Sequence, residues 1–579
     1  MTPSDVEANV RAGKSMDGAV LHGLDLRGRT LGGARLANAK LMQVDLSGAD
    51  LSGADLRGAE LVACKLGGAR LTGALLELTR FLSCDMPAAA LASSNLVGTV
   101  FAGACDLSGV DLSLAHLKGA SLAGARLDGA NLTGAHLEQI TFATASLVRA
   151  NLKGAKIEKT IFALGDLSGA DFSTTTMTAV LFAEAKLANA NLSGASIDRC
   201  AFGKADLRGA RLPQKISSTS FDEAHFERAD FSGKEISLSS LAGTDLTAAS
   251  FEGSTLTGMT FQRSTLRGAN FSGATIERCD FAECDFEGAQ LRGVKALHLS
   301  TMIGAKLRGV DLSGLDLSLG CLERADLSGA KLVGTRLDKL AMAEANLSGA
   351  DLSRARFHQM TLQNAKIEGA IVDGTIFERV VLEGVDIRQL KLDGLKLKRC
   401  KLTEAKLDGM TIRGCDFTGS ELAKAELRGT RFVDCALEMV NFKGANLEKA
   451  SLAGAPLKGA FFGEAVLRGA NLSNARLRNA TFTKADLRGT IFRDANLKET
   501  MLDEVKAEDA FFTGADLTYA DFSNSDARRA DFTSAKLANA NFHNVKDDGA
   551  SFNGAIGVLR KTDVDRLEAE AFRPPRRGA

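Results

Sequence analysis

From Met302 to Phe552 the chain sets a residue of one kind at every fifth position, 51 positions in unbroken succession, of which 48 are Leu, Ile, Val, Met or Phe. The three departures are Ala507, Ala527 and Asp547. An amphipathic helix needs a hydrophobic period near 3.6 residues and a half-buried strand a period of 2, so a period of five suits neither. The chain must be built of short units stacked on one another. A second period shows how the units group: Phe442, Phe462 and Phe482 recur at twenty residues, resuming at Phe522 and Phe542 after Leu502. A second ladder, Phe492, Phe512, Phe532 and Phe552, runs ten residues out of phase, and the same spacing joins Phe142, Phe162, Phe182 and Phe202. Four five-residue sides per coil account for both ladders, each Phe standing on its counterpart one coil below and the other ladder lying on the opposite wall. In the unit Ala49-Asp50-Leu51-Ser52-Gly53 the Leu faces inward, the Ala two before it shares the interior, and the Gly helps the chain turn the corner.

This unit, seen again in Ala130-Asn131-Leu132-Thr133-Gly134, resembles the pentapeptide-repeat family, and the resemblance spans nearly the whole chain. It implies an all-β fold, a single long right-handed quadrilateral β-helix; the handedness comes from the resemblance and not from the residues. The expected organisation is an N-terminal capping segment over 1–20, the solenoid over 21–555, and a short helix with a basic tail over 556–579. A solenoid grows by adding coils, so the length does not force a division into domains, and about 107 units at roughly 4.8 Å per layer predict a rod of ~130 Å.

Composition narrows the function. Lys plus Arg and Asp plus Glu both number 71, so no excess charge steers the chain toward nucleic acid or anionic lipid. The sequence has no apolar run of membrane-spanning length, and Met1 to Lys14 lack the apolar core of a secretion signal, which makes the cytoplasm the expected location, with export lacking a cleaved signal as the exception. Nine of the ten cysteines, Cys64, Cys84, Cys105, Cys200, Cys279, Cys284, Cys400, Cys415 and Cys435, occupy the small inward position usually held by Ala and read as core fillers. Cys321 lies one residue before a centre, where its thiol is expected to meet solvent. None is spaced as a metal ligand pair.

Along the chain, Ser4 and Glu7 suggest a capping box opening a helix to about Ala12 that covers the first coil. The five-residue register slips three times: one residue is gained at Cys105-Asp106-Leu107, one is lost around Leu212-Pro213-Gln214-Lys215-Ile216, and one is gained between Lys295 and Thr301. Pro213 removes a ladder donor and marks the expected kink. Leu75 to Ser94 is irregular, with Pro87 and the centre Met86, but keeps phase. Near the end, Thr562 to Phe572 reads as a short helix with Thr562 and Asp565 as its cap and Val564, Leu567 and Ala571 on one face. Arg573-Pro574-Pro575-Arg576-Arg577 follows as a basic tail. The C-terminal element is expected to act as a cap or as a homodimer contact. Ala507, Ala527 and Asp547 fall twenty apart, suggesting that one wall moves inward there.

The most informative surface feature is a column one residue after the centre: Glu368, Arg388, Asp408, Arg428, Glu448, Arg468, Arg488, Glu508 and Arg528. Its alternating signs predict a ladder of ion pairs between coils, each pair contributing about 0.2–1 kcal/mol, or else a stripe on which a partner docks. His116 and His136 are twenty apart and should stack, but no third metal ligand accompanies them; His22, His225, His298, His358 and His543 read as surface. Triplets such as Asn131-Leu132-Thr133 are by-products of the repeat. A regular convex surface offers no desolvated pocket for acid–base chemistry, and no phosphate-binding loop is present, so neither a catalytic group nor a cofactor or metal is expected. The function this supports is a non-enzymatic rigid scaffold binding protein partners along its faces or ends. Alternatives are a cargo, effector or adaptor of a bacterial secretion system and a DNA mimic that binds a type II topoisomerase such as gyrase. Mimicry needs a negative surface, which balanced charge argues against.

Overall fold

The computed structural model describes residues 1–226 and 228–571. Two compact units are present, Met1–Thr301 and Met302–Ala579, each a β-solenoid whose strands pair in parallel, with a short helix at either terminus of the chain. The unit boundary falls directly after the third register slip. The tail Arg573 to Arg577 lies outside the described residues.

Each coil is held to the next by one recurring pair of backbone bonds. The centre Leu46 donates its N–H to Lys65 O, nineteen residues on, at 2.7 Å, while Asp45 N–H donates to Leu24 O at 2.9 Å. Between centres the chain turns: Ala49 N–H donates to Leu46 O at 3.0 Å, with Gly48 at φ 63°, the left-handed third residue that a type II turn requires. Glycine relieves that position, yet Asn38 (φ 55°) and Asn189 (φ 59°) occupy it too. The Asp or Asn before each centre has its own local task. Asp50 Oδ1 accepts both the N–H of Ser52 at 3.1 Å and its hydroxyl at 2.6 Å, an Asx motif that fixes the turn.

The interior follows from this register. In the first unit Phe142, Phe162, Phe182 and Phe202 stack at 4.6–5.1 Å, and the column continues to Phe221, nineteen residues on, across the second slip. In the second unit Phe462 stacks on Phe442 at 5.0 Å and on Phe482 at 4.7 Å. The out-of-phase ladder meets the first edge to face, as with Phe482 and Phe492 at 5.8 Å and 90°. The small inward position tolerates a hydroxyl because the coil below supplies an acceptor: Thr430 Oγ1 donates to Leu407 O and Thr79 Oγ1 to Leu56 O, both at 2.7 Å. The nine inward cysteines are buried there and Cys321 is half-buried. Burial pushes the Cys279 thiol up to about 11 and Cys400 up to about 12, so these are inert core fillers.

The slips are absorbed where they were expected. Asp85 pairs with Asp106 and Asp280 with Thr301, 21 residues apart, whereas Ala201 pairs with Ser220 at 19. The first insertion is taken up by two successive left-handed residues, Gly103 and Ala104. Beside Pro213 the strand Lys215–Ser217 still pairs on both sides, through Ile216 with Ile197 and Ile236. The segment from Leu75 to Ser94 keeps the twenty-residue pairing with the coil below it, as Lys65 with Asp85 and Arg70 with Ala90.

Three details differ from expectation. The first helix, α1 (Pro3–Arg11), is capped by Thr2 and Asp5, which exchange a full capping box, and not by Ser4 and Glu7. Glu7 instead bridges Arg11 at 2.9 Å and Arg29 of the adjoining solenoid at 3.0 Å, while Val6 is buried. At the other end α2 (Val564–Ala571) is opened by Asp563, whose carboxylate accepts the Arg566 N–H at 3.2 Å; the Thr562 hydroxyl accepts the Asn544 N–H instead. No residue of α2 is buried, and Val564 stands 61% exposed. His543 is not on the surface but 2% exposed beneath this segment, its Nδ1 accepting the Asp563 N–H at 3.1 Å and its Nε2 lying 3.3 Å from Glu570. Its place after a Phe centre looked like any outward position; only the returning C-terminal segment covers it. Of the weak centres, Ala507 and Ala527 are buried, whereas Asp547 is exposed.

Replacing Leu427 by Asp would set a carboxylate at a fully buried centre between stacked coils, at a cost of about 3 kcal/mol or more. The expected outcome is local melting, seen as new tryptic cleavage at Lys424, Arg428 and Arg431. An unchanged digestion pattern would contradict the packing described.

Candidate functional site

All nine residues of the charged column belong to the second unit, and their side chains lie outside the core, exposed or half-exposed. The expected alternation of pairs between coils is realised only twice: Arg428 Nε lies 3.5 Å from Asp408 and also donates its backbone N–H to that carboxylate at 2.8 Å, and Arg528 lies 3.5 Å from Glu508. Three of the arginines, Arg528 among them, turn toward the acid one residue before a centre, and Arg428 also lies 3.8 Å from Glu426. Arg388 clasps Asp386, Arg488 clasps Asp486 and Arg528 clasps Asp526, each at 2.7 Å, with Nε and an amino nitrogen on the two carboxylate oxygens. Arg468 reaches up to Asp486 at 2.6 Å. Glu368 and Glu448 make no ion pair among the described residues.

The clasp recurs in the first unit as Asp25 with Arg27, Asp55 with Arg57 and Asp206 with Arg208. Its signature, an acid and an arginine flanking one centre, is visible in the sequence, but attention to the twenty-residue spacing concealed it. Successive outward residues on one strand flank the same inward side chain and lie on the same face. A planar guanidinium two residues from a carboxylate can therefore close on it without leaving its own coil.

Asp486 is the best anchored of these acids, 9% exposed and shared by Arg468 and Arg488. Burial pushes its pKa up, but the hydrogen bonds from Arg488 and Arg468 outweigh that and hold it at about 2. Elsewhere the surface chemistry is sparse. The rings of His116 and His136 stack at 4.7 Å, and among the described residues no three His, Cys, Asp or Glu side chains gather as a metal would need. Cys321 is not an activated nucleophile, since burial raises its pKa. Among the described residues no helix is long and apolar enough to cross a membrane.

Family profiles described as pentapeptide repeats match residues 19–58, 94–163, 177–212, 219–258, 321–379 and 381–556, with a second profile of that description over 241–295. Among solved structures, the chain is similar to the pentapeptide repeat protein Rfr23 from the cyanobacterium Cyanothece 51142, at 29% identity over 16% of this chain and 63% of that one, with a TM-score of 0.16. It thus spans less than two thirds of that structure. It is also similar to HetL of Nostoc, a pentapeptide repeat protein involved in heterocyst differentiation regulation (20% identity, 67% of this chain and 97% of that one, TM-score 0.11). A third is QnrB1, a plasmid-mediated fluoroquinolone resistance protein (16% identity, 45% and 100%, TM-score 0.15). No curated protein matches the chain.

Asp486→Asn should loosen the coils around Leu467 and Leu487 by about 1–2 kcal/mol at neutral pH, read as faster native-state hydrogen exchange of their amides. Because the folded pKa lies below the unfolded value of about 3.9, that stabilisation is present above pH 4 and lost as the pH falls toward 2. Wild type and variant should therefore converge at the acid end; a gap that persisted there would refute the clasp as its source.

Proposed function

The chain belongs to the pentapeptide-repeat family, and from that premise we propose that it is a non-enzymatic rigid scaffold that binds protein partners along its faces or ends. The observation that carries this reading is the fixed spacing of outward side chains on paired strands such as Arg356–His358 with Ile376–Glu378. Rigid, regularly spaced groups lose little entropy when a partner engages several at once. The column from Glu368 to Arg528 is the docking surface we favour, and within it Glu368 and Glu448 are the members whose charge is not already spent on a neighbour. Basic groups of a protein partner would gain most there.

A topoisomerase-binding DNA mimic is the reading this one displaces. The clasps neutralise acids in place, the opposite of the unpaired negative surface a basic groove selects.

Reversing both unpaired acids, Glu368→Lys with Glu448→Lys, leaves every described ion pair intact. Crosslinking capture with the full chain should retain specific proteins that this variant loses, and micromolar protein should leave gyrase supercoiling unchanged. Identical capture by both forms would remove the column as the docking surface, and inhibition of supercoiling would favour the mimic.

A further inference from the structure

In the second unit one coil is not bonded to its neighbours on two consecutive sides. Backbone bonds join Leu382 N–H to Lys401 O and Asn364 N–H to Glu383 O, and pairing resumes where Ile376 and Lys396 meet. Between these points, among the described residues, the amides of Gly384, Asp386, Lys391, Leu392, Lys406 and Thr411 lack the partners their positions find elsewhere. One coil further on, the equivalent amides of Glu404, Glu426 and Arg431 donate normally at 2.8–2.9 Å. Ile387–Gln389 is drawn instead into a short 3₁₀ turn.

The cause lies in the small inward positions. Where most coils carry Ala, this one carries Val385 and Leu390 in succession, with Ala365 and Ala370 in the coil below and Ala405 and Met410 in the coil above. These two large side chains fill the layer where the backbone stands away from its neighbours; at Leu395 the ladder has closed again, Asp416 N–H donating to Leu395 O at 3.0 Å. Val385 and Leu390 are accordingly 7% and 8% exposed, whereas the typical inward residue is at 0–2%. On the upper side the parting opens a cleft of about 550 Å³ lined by Glu383, Val385, Asp386, Thr403, Ala405 and Lys406. Thr403 Oγ1, on its wall, is buried with no hydrogen-bond partner.

We propose that this cleft receives an extended segment of a protein partner, which enters between the coils as an added strand. Its unpaired groups alternate along two facing strand edges, the pattern that a peptide backbone satisfies and a compact small molecule does not. The occupant is specified by what flanks it. The apolar part of its wall, Leu382, Val385 and Ala405, suits small and aliphatic side chains, and an acidic one between them stands beside Lys406. Lys406 has no ion-pair partner among the described residues, whereas Asp386 is already held by Arg388. A small–acidic–aliphatic segment, the chemistry of this chain's own unit, meets each requirement. This deepens the scaffold reading and rests on it; Arg388 of the charged column lines the cleft, whereas Glu368 and Glu448 do not.

The test uses the full-length protein and a labelled ten-residue peptide, ADLSGADLRG, the sequence of residues 49–58. Saturable binding is expected, lost when both Leu of the peptide are replaced by Asp, and weakened about threefold to fivefold by Lys406→Glu but not by Lys484→Glu. In the free protein the amides of Gly384, Asp386, Lys391, Lys406 and Thr411 should exchange faster than those of Glu404, Glu426 and Arg431, and the peptide should slow those that face the cleft, Gly384 and Lys406, by about tenfold or more while leaving Asp386 and Lys391, which face the coil below, unchanged. Equal protection in the free protein, protection elsewhere, or no binding beside fast-exchanging amides would each overturn the proposal. Because no cellular partner is used, such a failure leaves the capture experiment on Glu368 and Glu448 to judge the scaffold reading separately.

Discussion

The hydrogen bond from each centre to the carbonyl nineteen residues on is the constraint from which the rest follows. Once Leu46 donates to Lys65 O and the next coil repeats the act, each residue between the register slips stands above the residue twenty before it. Like must then tolerate like. Phe stacks on Phe, methyl on methyl, and a charge finds another charge one layer away. Unlike a globular core, where any group of side chains of the right total volume can repack, this interior has one layer per coil and no spare room. A single large inward residue is carried within the ladder, as at Met360 and Val380, whose carbonyls still accept from the next coil at 2.9 Å; in the second unit the bonds part where Val385 and Leu390 follow one another.

Much of this was legible in the residues. The period of five excluded helix and ordinary strand, the Phe spacing gave the coil length, and Phe442, Phe462 and Phe482 stack as that spacing requires. The inward cysteines and the stacked His116 and His136 followed from phase alone. What escaped has physical reasons. His543 has an outward phase, but burial there depends on Asp563 and Glu570 folding back, a contact that no periodicity encodes. The arginine clasps do not follow the twenty-residue spacing, because a guanidinium prefers the bidentate geometry available two residues away. The parted coil kept its centres Leu382, Ile387 and Leu392 in perfect register. The side-chain pattern therefore read as continuous although the backbone is not.

The chemistry of the surface points the same way as its geometry. Acids such as Asp486 and Asp526 are neutralised in place, and burial pushes up thiols such as Cys279 and Cys400. Each clasp adds one acid and one base, so it adds charge to the surface without adding net field.

The twenty-residue register itself is open to a direct test by paired cysteines on the outward surface. Lys118 and Glu138 stand on adjacent coils, 2.8 Å apart through their side chains, with Gly119 N–H bonded to Glu138 O, a separation of coils that a disulfide spans without strain. Lys118→Cys with Glu138→Cys should oxidise readily to an intramolecular crosslink, and Lys118→Cys with Thr133→Cys, fifteen residues apart, should not. Crosslinking of the second pair in preference to the first would mean that the coils are not stacked in this register.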